Sequence, residues 1–188
     1  MTTEILHSRL GHFVLTFQAV DAAMVELIVQ LINSDPEYVA TLTTELEFNA
    51  KARALDVIYT RFAQIHGLSD RSPHPQFHNL ASRIQTLASR RNDLVHSFYH
   101  LLITVDGAIA LERKPTKLKP SEGLREQPEE DILPSRLEFE ISEMKQILAE
   151  LETYRLSAID TLYPNIKANP ALNTDPGRGA KGPPPRAG

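Results

Sequence analysis

Cysteine is absent from this 188-residue chain, which excludes a disulfide framework, a thiolate metal site and a cysteine nucleophile. The absence fits a reducing compartment, and a cytoplasmic protein is expected. The N-terminal MTTEILHSRL has no basic patch followed by a short apolar core, so no secretory signal is expected. No stretch reads as the uninterrupted apolar run of a membrane span. An excess of positive charge is missing too: 20 Lys and Arg stand against 24 Asp and Glu, a formal charge of -4. That excludes a surface coated in positive charge for duplex DNA. It leaves room for a local basic cleft, because net charge and local potential are separate quantities. The chain also lacks a Gly-rich phosphate loop, a G-x-S-x-G elbow, an RRM or zinc-finger signature and any internal repeat.

What is present is periodic. The length suits one domain with a proper core, and 41% apolar with 23% charged residues is ordinary for a globular chain. Leu6, Leu10, Phe13, Phe17, Val20, Met24, Leu27 and Leu31 recur in steps of four and three, which predicts a long first helix. NSDP stops it, with Asp35 as N-cap and Pro36 at the first position of the next helix. That second helix is expected from Pro36 to His66, with Val39, Leu42, Leu46, Leu55, Ile58, Phe62 and Ile65 on its apolar side, ending at Gly67. A third starts near Pro73 or Pro75 and carries Leu80, Ile84, Leu87, Leu94, Val95 and Phe98 on one stripe.

LLITVDGAIALE then places two apolar runs around Asp106-Gly107, a strong signal for a two-residue hairpin turn. After a Pro-interrupted loop, Ser135 and Glu138 form a capping-box pattern. Leu137, Ile141, Met144, Leu148, Leu151, Arg155, Ala158 and Leu162 define the last helix. The expected fold is all-α: a bundle of four long helices with a small β-hairpin inserted before the last, over residues 1–163. Residues 164–188, Pro- and Gly-rich and weakly positive, read as a flexible tail. Seams this long and regular point to a homodimer, although an intramolecular four-helix core uses the same pattern.

One residue breaks the pattern of the third helix. At roughly 100° per residue, Leu80, Ile84, Leu87, Leu94, Val95 and Phe98 fall within about 60° of one direction, and Arg91 falls about 20° from its start. A guanidinium there is costly unless it is paired or opens onto a cleft, and it does not shed its proton to escape. Arg91 therefore either makes a buried ion pair, with Glu45 or Glu47, or faces a cavity for an anion. Asn92 and His96, four apart, share another face, and His100 continues that row. A fixed cation beside a group titrating near neutral pH suits phosphodiester cleavage by an RNA 2′-hydroxyl. Arg91 and His96 point about 140° apart on one straight helix. They flank a groove, or a two-fold axis beside the helix brings two copies of each to one cleft.

RNDLVH, Arg91 to His96, resembles the R-N-x-x-x-H signature of HEPN domains (higher eukaryotes and prokaryotes nucleotide-binding). The plan is similar as well: long antiparallel helices, the motif late in the third, a short hairpin and a closing helix. The likeness covers about residues 4–163 as architecture and six residues as motif. It implies a metal-independent endoribonuclease without cofactor or membrane, acting as a homodimer on an RNA substrate. Arg91, Asn92 and His96 are then the catalytic residues: His96 the acid/base, Arg91 the phosphate-side charge, and Asn92 orienting the histidine or substrate. Arg90 and His100 are expected to bind substrate. Many such domains are toxins of toxin–antitoxin modules or phage-defence effectors held by an antitoxin or complex partner; others are catalytically inactive interaction or regulatory modules. Phe98 stands two residues beyond the histidine, where one subgroup has tyrosine, and Tyr99 follows it. A third reading is a plain helical dimerisation domain with a structural ion pair.

Other groupings carry less. His74 and His78 in HPQFH have a helical metal spacing but no third ligand, and read as surface histidines. Arg113, Lys114, Lys117 and Lys119 cluster beside the hairpin, as a solvated loop or an RNA-backbone contact. Lys51 and Arg53 are candidates for lining the same cleft as Arg91.

Overall fold

The computed structural model describes residues 3–95, 98–103, 105, 107, 109–114, 117–119, 124–126, 130–132 and 134–164. The chain is a helical bundle, and among the described residues there are five helices rather than four: α1 (Thr3–Ile32), α2 (Pro36–Thr44), α3 (Phe48–Ile65), α4 (Pro75–Val95) and α5 (Pro134–Leu162). The seam of α1 buries Phe13, Val20, Met24, Leu27 and Leu31, and that of α5 buries Leu137, Ile141, Met144, Leu151 and Ala158. Period alone places these residues inward. Asp35 caps α2 as expected, its Oδ1 accepting from the Glu37 N–H at 2.8 Å with Pro36 at the first position. Gly67 ends α3 at φ +66, and the Leu68 and Gly67 N–H groups donate to Ala63 and Gln64 carbonyls. A side chain at Gly67 would be strained in that left-handed conformation. At α5 the helix begins with Pro134, so Ser135 stands inside it rather than before it. Glu138 pairs instead with Arg9 of α1 at 2.8 Å.

The single second helix expected from Pro36 to His66 is broken. Thr43 Oγ1 donates back to Val39 and Ala40, and Thr44 Oγ1 to Ala40. Such back-bonding gives the backbone an alternative to continuing the helix. Glu45 closes α2, and Glu47 takes an extended conformation at φ -62, ψ 154 before α3 begins. The break reverses the chain. Phe48 stacks on Phe17, ring centroids 4.3 Å apart, so α2 with its flanking turns, residues 33–47, brings the chain back along α1 by about 15 residues of rise, roughly 22 Å. Leu42, expected inward, is 74% exposed, and Leu46 and Ile65 are exposed as well. Val39 and Thr43 face inward in α2 instead.

The extra reversal sets the direction of every later helix. α3 and α4 are opposed, as the contacts of Asp56 with His78 and of Thr60 with His74 show. α4 and α5 are opposed too, with Arg83 on Glu150 and Arg90 on Glu140. α1 and α5 therefore run the same way, tied near their starts by Arg9 and Glu138 and at their ends by Asn33 and Tyr163. Four alternating helices would set the first against the last; five align them.

Between α4 and α5 the backbone forms short extended segments: β1 (Phe98–Ile103), β2 (Ile109–Lys114), β3 (Lys117–Lys119), β4 (Leu124–Glu126) and β5 (Glu130–Ile132). β1 and β5 flank β2 antiparallel, and β3 pairs with β4. The turn expected at Asp106-Gly107 falls partly on Asp106, outside the described residues, as does the tail beyond Pro164.

The expected absence of an uninterrupted apolar run leaves one stretch that is apolar on average, in α1. Over His7–Ile32 it is long and apolar enough to cross a membrane, with mean hydropathy 1.6. Its polar residues are scattered rather than clustered, so they dilute the run without ending it. In the bundle its apolar seam packs against α3 and α5, and its Asp21 pairs with Lys51.

An aromatic knot joins three of the helices. Tyr59 stacks on Phe77 at 4.0 Å, and Tyr154 meets both edge-on at 4.9 and 4.8 Å. Burial, and to a lesser extent the neighbouring Tyr154, pushes the Tyr59 hydroxyl up to about 12 from its ordinary 10.0. Between those values the unfolded chain loses the phenolic proton while the folded chain keeps it, so stability must fall as pH rises. We expect a loss of about 2 to 3 kcal/mol between pH 10 and 12. Tyr59→Phe should remove most of that slope in urea-unfolding curves taken across the interval.

Candidate functional site

Arg90 and Arg91 are neighbours in sequence and about 100° apart around α4. The helix therefore sends them to different partners. Arg90 turns to α5, where its Nη1 lies 2.6 Å from Glu143 and 2.8 Å from Glu140. The hydrogen bond it donates to Glu143 is the main reason its guanidinium holds its proton still more firmly than usual. The Glu140 side chain is 5% exposed and also faces Arg136 at 3.5 Å. Arg90, expected on the substrate side, thus serves as the clasp between α4 and α5: two carboxylates already neutralise it.

Arg91 turns the other way. It is half-buried, between turns anchored by the buried Ala88 and Leu94. Its guanidinium carbon sits 5.8 Å from the centroid of the Phe17 ring, a cation–π distance. Its Nη1 donates to Asn92 Oδ1 at 3.0 Å. Among the described residues no carboxylate lies within ion-pair distance of it. Glu45 caps the end of α2, and Glu47 lines the same cleft as Arg91 without closing on it. Of the two alternatives open for a cation in the apolar stripe, the described residues match the cleft.

That cleft has a volume of about 510 Å³ and lies where α1, the α2–α3 corner and α4 meet. Its walls include the stacked Phe17 and Phe48, the Lys51–Asp21 pair at 2.8 Å, and Arg91 with Asn92. It offers two cations from different helices, a half-buried aromatic surface and several amide groups. Such a set can bind an anion and stack a flat ring. Lys51, named from sequence as a candidate lining residue, does line the cleft; Arg53 is exposed and does not.

His96 lies outside the described residues. α4 ends at Val95, so the helical row expected from Asn92 through His96 to His100 does not continue to its last member. His100 belongs to β1, its backbone opposite Glu112, and Phe98 opens that strand rather than extending the helical stripe. The cluster Arg113, Lys114, Lys117 and Lys119 is described as backbone of β2 and β3.

The two histidines with metal spacing have separate tasks. His74 Nδ1 accepts from the Phe77 N–H at 3.3 Å at the start of α4, and its ring meets Tyr59 edge-on. His78 Nδ1 lies 2.6 Å from Asp56 Oδ2 and ties α4 to α3. Among the described residues no group of three or more His, Cys, Asp or Glu is placed to hold a metal.

Sequence reasoning missed Phe17, Asp21 and Phe48 as cleft residues. Phe17 reads as one more seam position, and Phe48 lies inside what reads as an unbroken helix. Their meeting depends on the reversal at 45–47, which no glycine or proline marks. Comparison with family models, curated proteins and solved structures finds no match for this chain.

Proposed function

We propose that the protein is a metal-independent endoribonuclease of the HEPN type, cleaving RNA by attack of a 2′-hydroxyl in a cleft completed by a homodimer. The observation that carries this reading is Arg91: a permanent cation in an apolar helical stripe, lining a cleft and free of carboxylates among the described residues. In this reading His96 takes the 2′-hydroxyl proton while that oxygen attacks phosphorus. The bond from phosphorus to the 5′-oxygen breaks, and the leaving oxygen is protonated by an imidazolium, from the same chain or its symmetry mate. Arg91 stabilises the charge that builds on the phosphoryl oxygens. Asn92 holds the Arg91 guanidinium and orients the histidine or substrate. The products are a 2′,3′-cyclic phosphate and a 5′-hydroxyl.

The same reading takes the segments before α5 as a hairpin closing the motif end of the bundle. It places the protein in the cytoplasm as a toxin or phage-defence effector, restrained by an antitoxin or complex partner. The test is incubation with single-stranded RNA in EDTA, comparing wild type with His96→Ala and analysing the ends. Cleavage giving cyclic phosphates, lost in the variant, supports the enzyme. RNA left intact at high protein concentration rejects it and leaves a catalytically inactive interaction or regulatory module.

A further inference from the structure

Lys51 is an unusual residue for a cleft wall. Its side chain is only 12% exposed, and its Nζ is held 2.8 Å from Asp21 Oδ2. An ammonium has three donors, and among the described residues Asp21 is its one polar side-chain partner. The other oxygen of Asp21, Oδ1, is buried without a hydrogen-bond partner among the described residues. An ion pair built only to join α1 to α3 gains most when both carboxylate oxygens are satisfied. This one leaves capacity unused on the cation and fixes where that cation stands.

Its position along the cleft follows from spacing. Asp21 is one helical turn beyond Phe17 on α1, and Lys51 is three residues beyond Phe48 on α3. The Phe17–Phe48 stack therefore lies about one turn, roughly 5.4 Å, from the Asp21–Lys51 pair. Arg91 sits over the face of Phe17. Two cations and an aromatic stack thus line one cleft, a combination suited to neighbouring phosphates and a base.

We infer that Lys51, positioned by Asp21, contacts the phosphate next to the scissile one, and that Glu47 on the same cleft is an opposing charge that weakens binding. The inference rests on the endoribonuclease reading and assigns Lys51 to binding rather than to chemistry.

The test uses a fluorescent oligoribonucleotide with 2′-O-methyl groups throughout, which binds without being cut. Anisotropy titrations at several salt concentrations compare wild type, Lys51→Met, Lys51→Arg, Asp21→Asn and Glu47→Gln. Lys51→Met is expected to weaken binding about tenfold and to make the log–log salt slope shallower by about 0.7. Lys51→Arg restores most of the affinity, Glu47→Gln tightens binding about two- to threefold for one screened charge, and Asp21→Asn, which removes an opposing charge together with the anchor of Lys51, gains less than Glu47→Gln. On cleavable RNA, Lys51→Met raises KM and leaves kcat within about twofold. A misfolded variant does not tighten binding, so the opposite signs at 47 and 51 separate recognition from stability. Unchanged affinity and salt slope in Lys51→Met, beside cleavage that still depends on His96, overturn this inference alone. Wild-type protein that neither binds nor cuts RNA overturns the endoribonuclease reading with it.

Discussion

Arg91→Ala is expected to slow metal-free RNA cleavage by about 10² to 10³, the usual effect of removing one donor to charge that develops in the transition state. The loss should fall mainly on kcat, because the guanidinium matters most when the phosphoryl oxygens gain charge. Folding should change little. Arg91 is half-buried, and its one side-chain hydrogen bond among the described residues goes to the adjacent Asn92. Two further variants separate charge from packing. Arg91→Met keeps the apolar stem over Phe17 and should be nearly as slow as alanine, with unchanged stability. Arg91→Lys keeps the charge but loses the planar fork that engages two phosphoryl oxygens, and should recover only part of the rate. Steady-state kinetics in EDTA beside thermal unfolding check all three. Full activity with a large fall in Tm would make Arg91 a structural residue.

Phe77→Ala is expected to cost about 3 to 5 kcal/mol of stability. Phe77 is 0% exposed, stacked on Tyr59 and met edge-on by Tyr154, so its removal opens a cavity between α3, α4 and α5. The proper control is Leu42→Ala. Leu42 reads as core in the sequence yet is 74% exposed, so its truncation should stay within about 0.5 kcal/mol. Urea-unfolding midpoints measure both. A large loss at Leu42 would restore the unbroken second helix, because only there does Leu42 face the core.

These two variants mark how far the sequence is legible. Helical period places the seams of α1, α4 and α5 because one stripe on each faces the same neighbours along most of its length. The α2 cap is legible since Asp35 and Pro36 act locally. The corner at 45–47 is not. Leu42 and Leu46 are spaced as a helical face, and threonines rather than breakers end α2. The deciding contacts, Phe48 on Phe17 and Lys51 on Asp21, are tertiary. That one reversal also decides the parity of the bundle and so sets α1 alongside α5 in the same direction.

The site divides the same way. Arg91 is legible because a cation in an apolar stripe conflicts with packing, and such conflicts mark function or pairing. That Arg90 beside it belongs to Glu140 and Glu143 is not, since only the placement of α5 shows which side of α4 it covers. The aromatic surface of the cleft is hidden for the reason that hides the corner: each phenylalanine looks like core until the chain turns back.

The most direct measurement is a nitrogen-15 NMR titration with the 2′-O-methyl oligoribonucleotide, following the His96 imidazole and the Arg91 side-chain Nε together. A shared site predicts that both resonances shift over one binding curve, and that Arg91→Met abolishes the response at His96. Shifts confined to the 113–119 segment, with Arg91 and His96 silent at saturation, would contradict it.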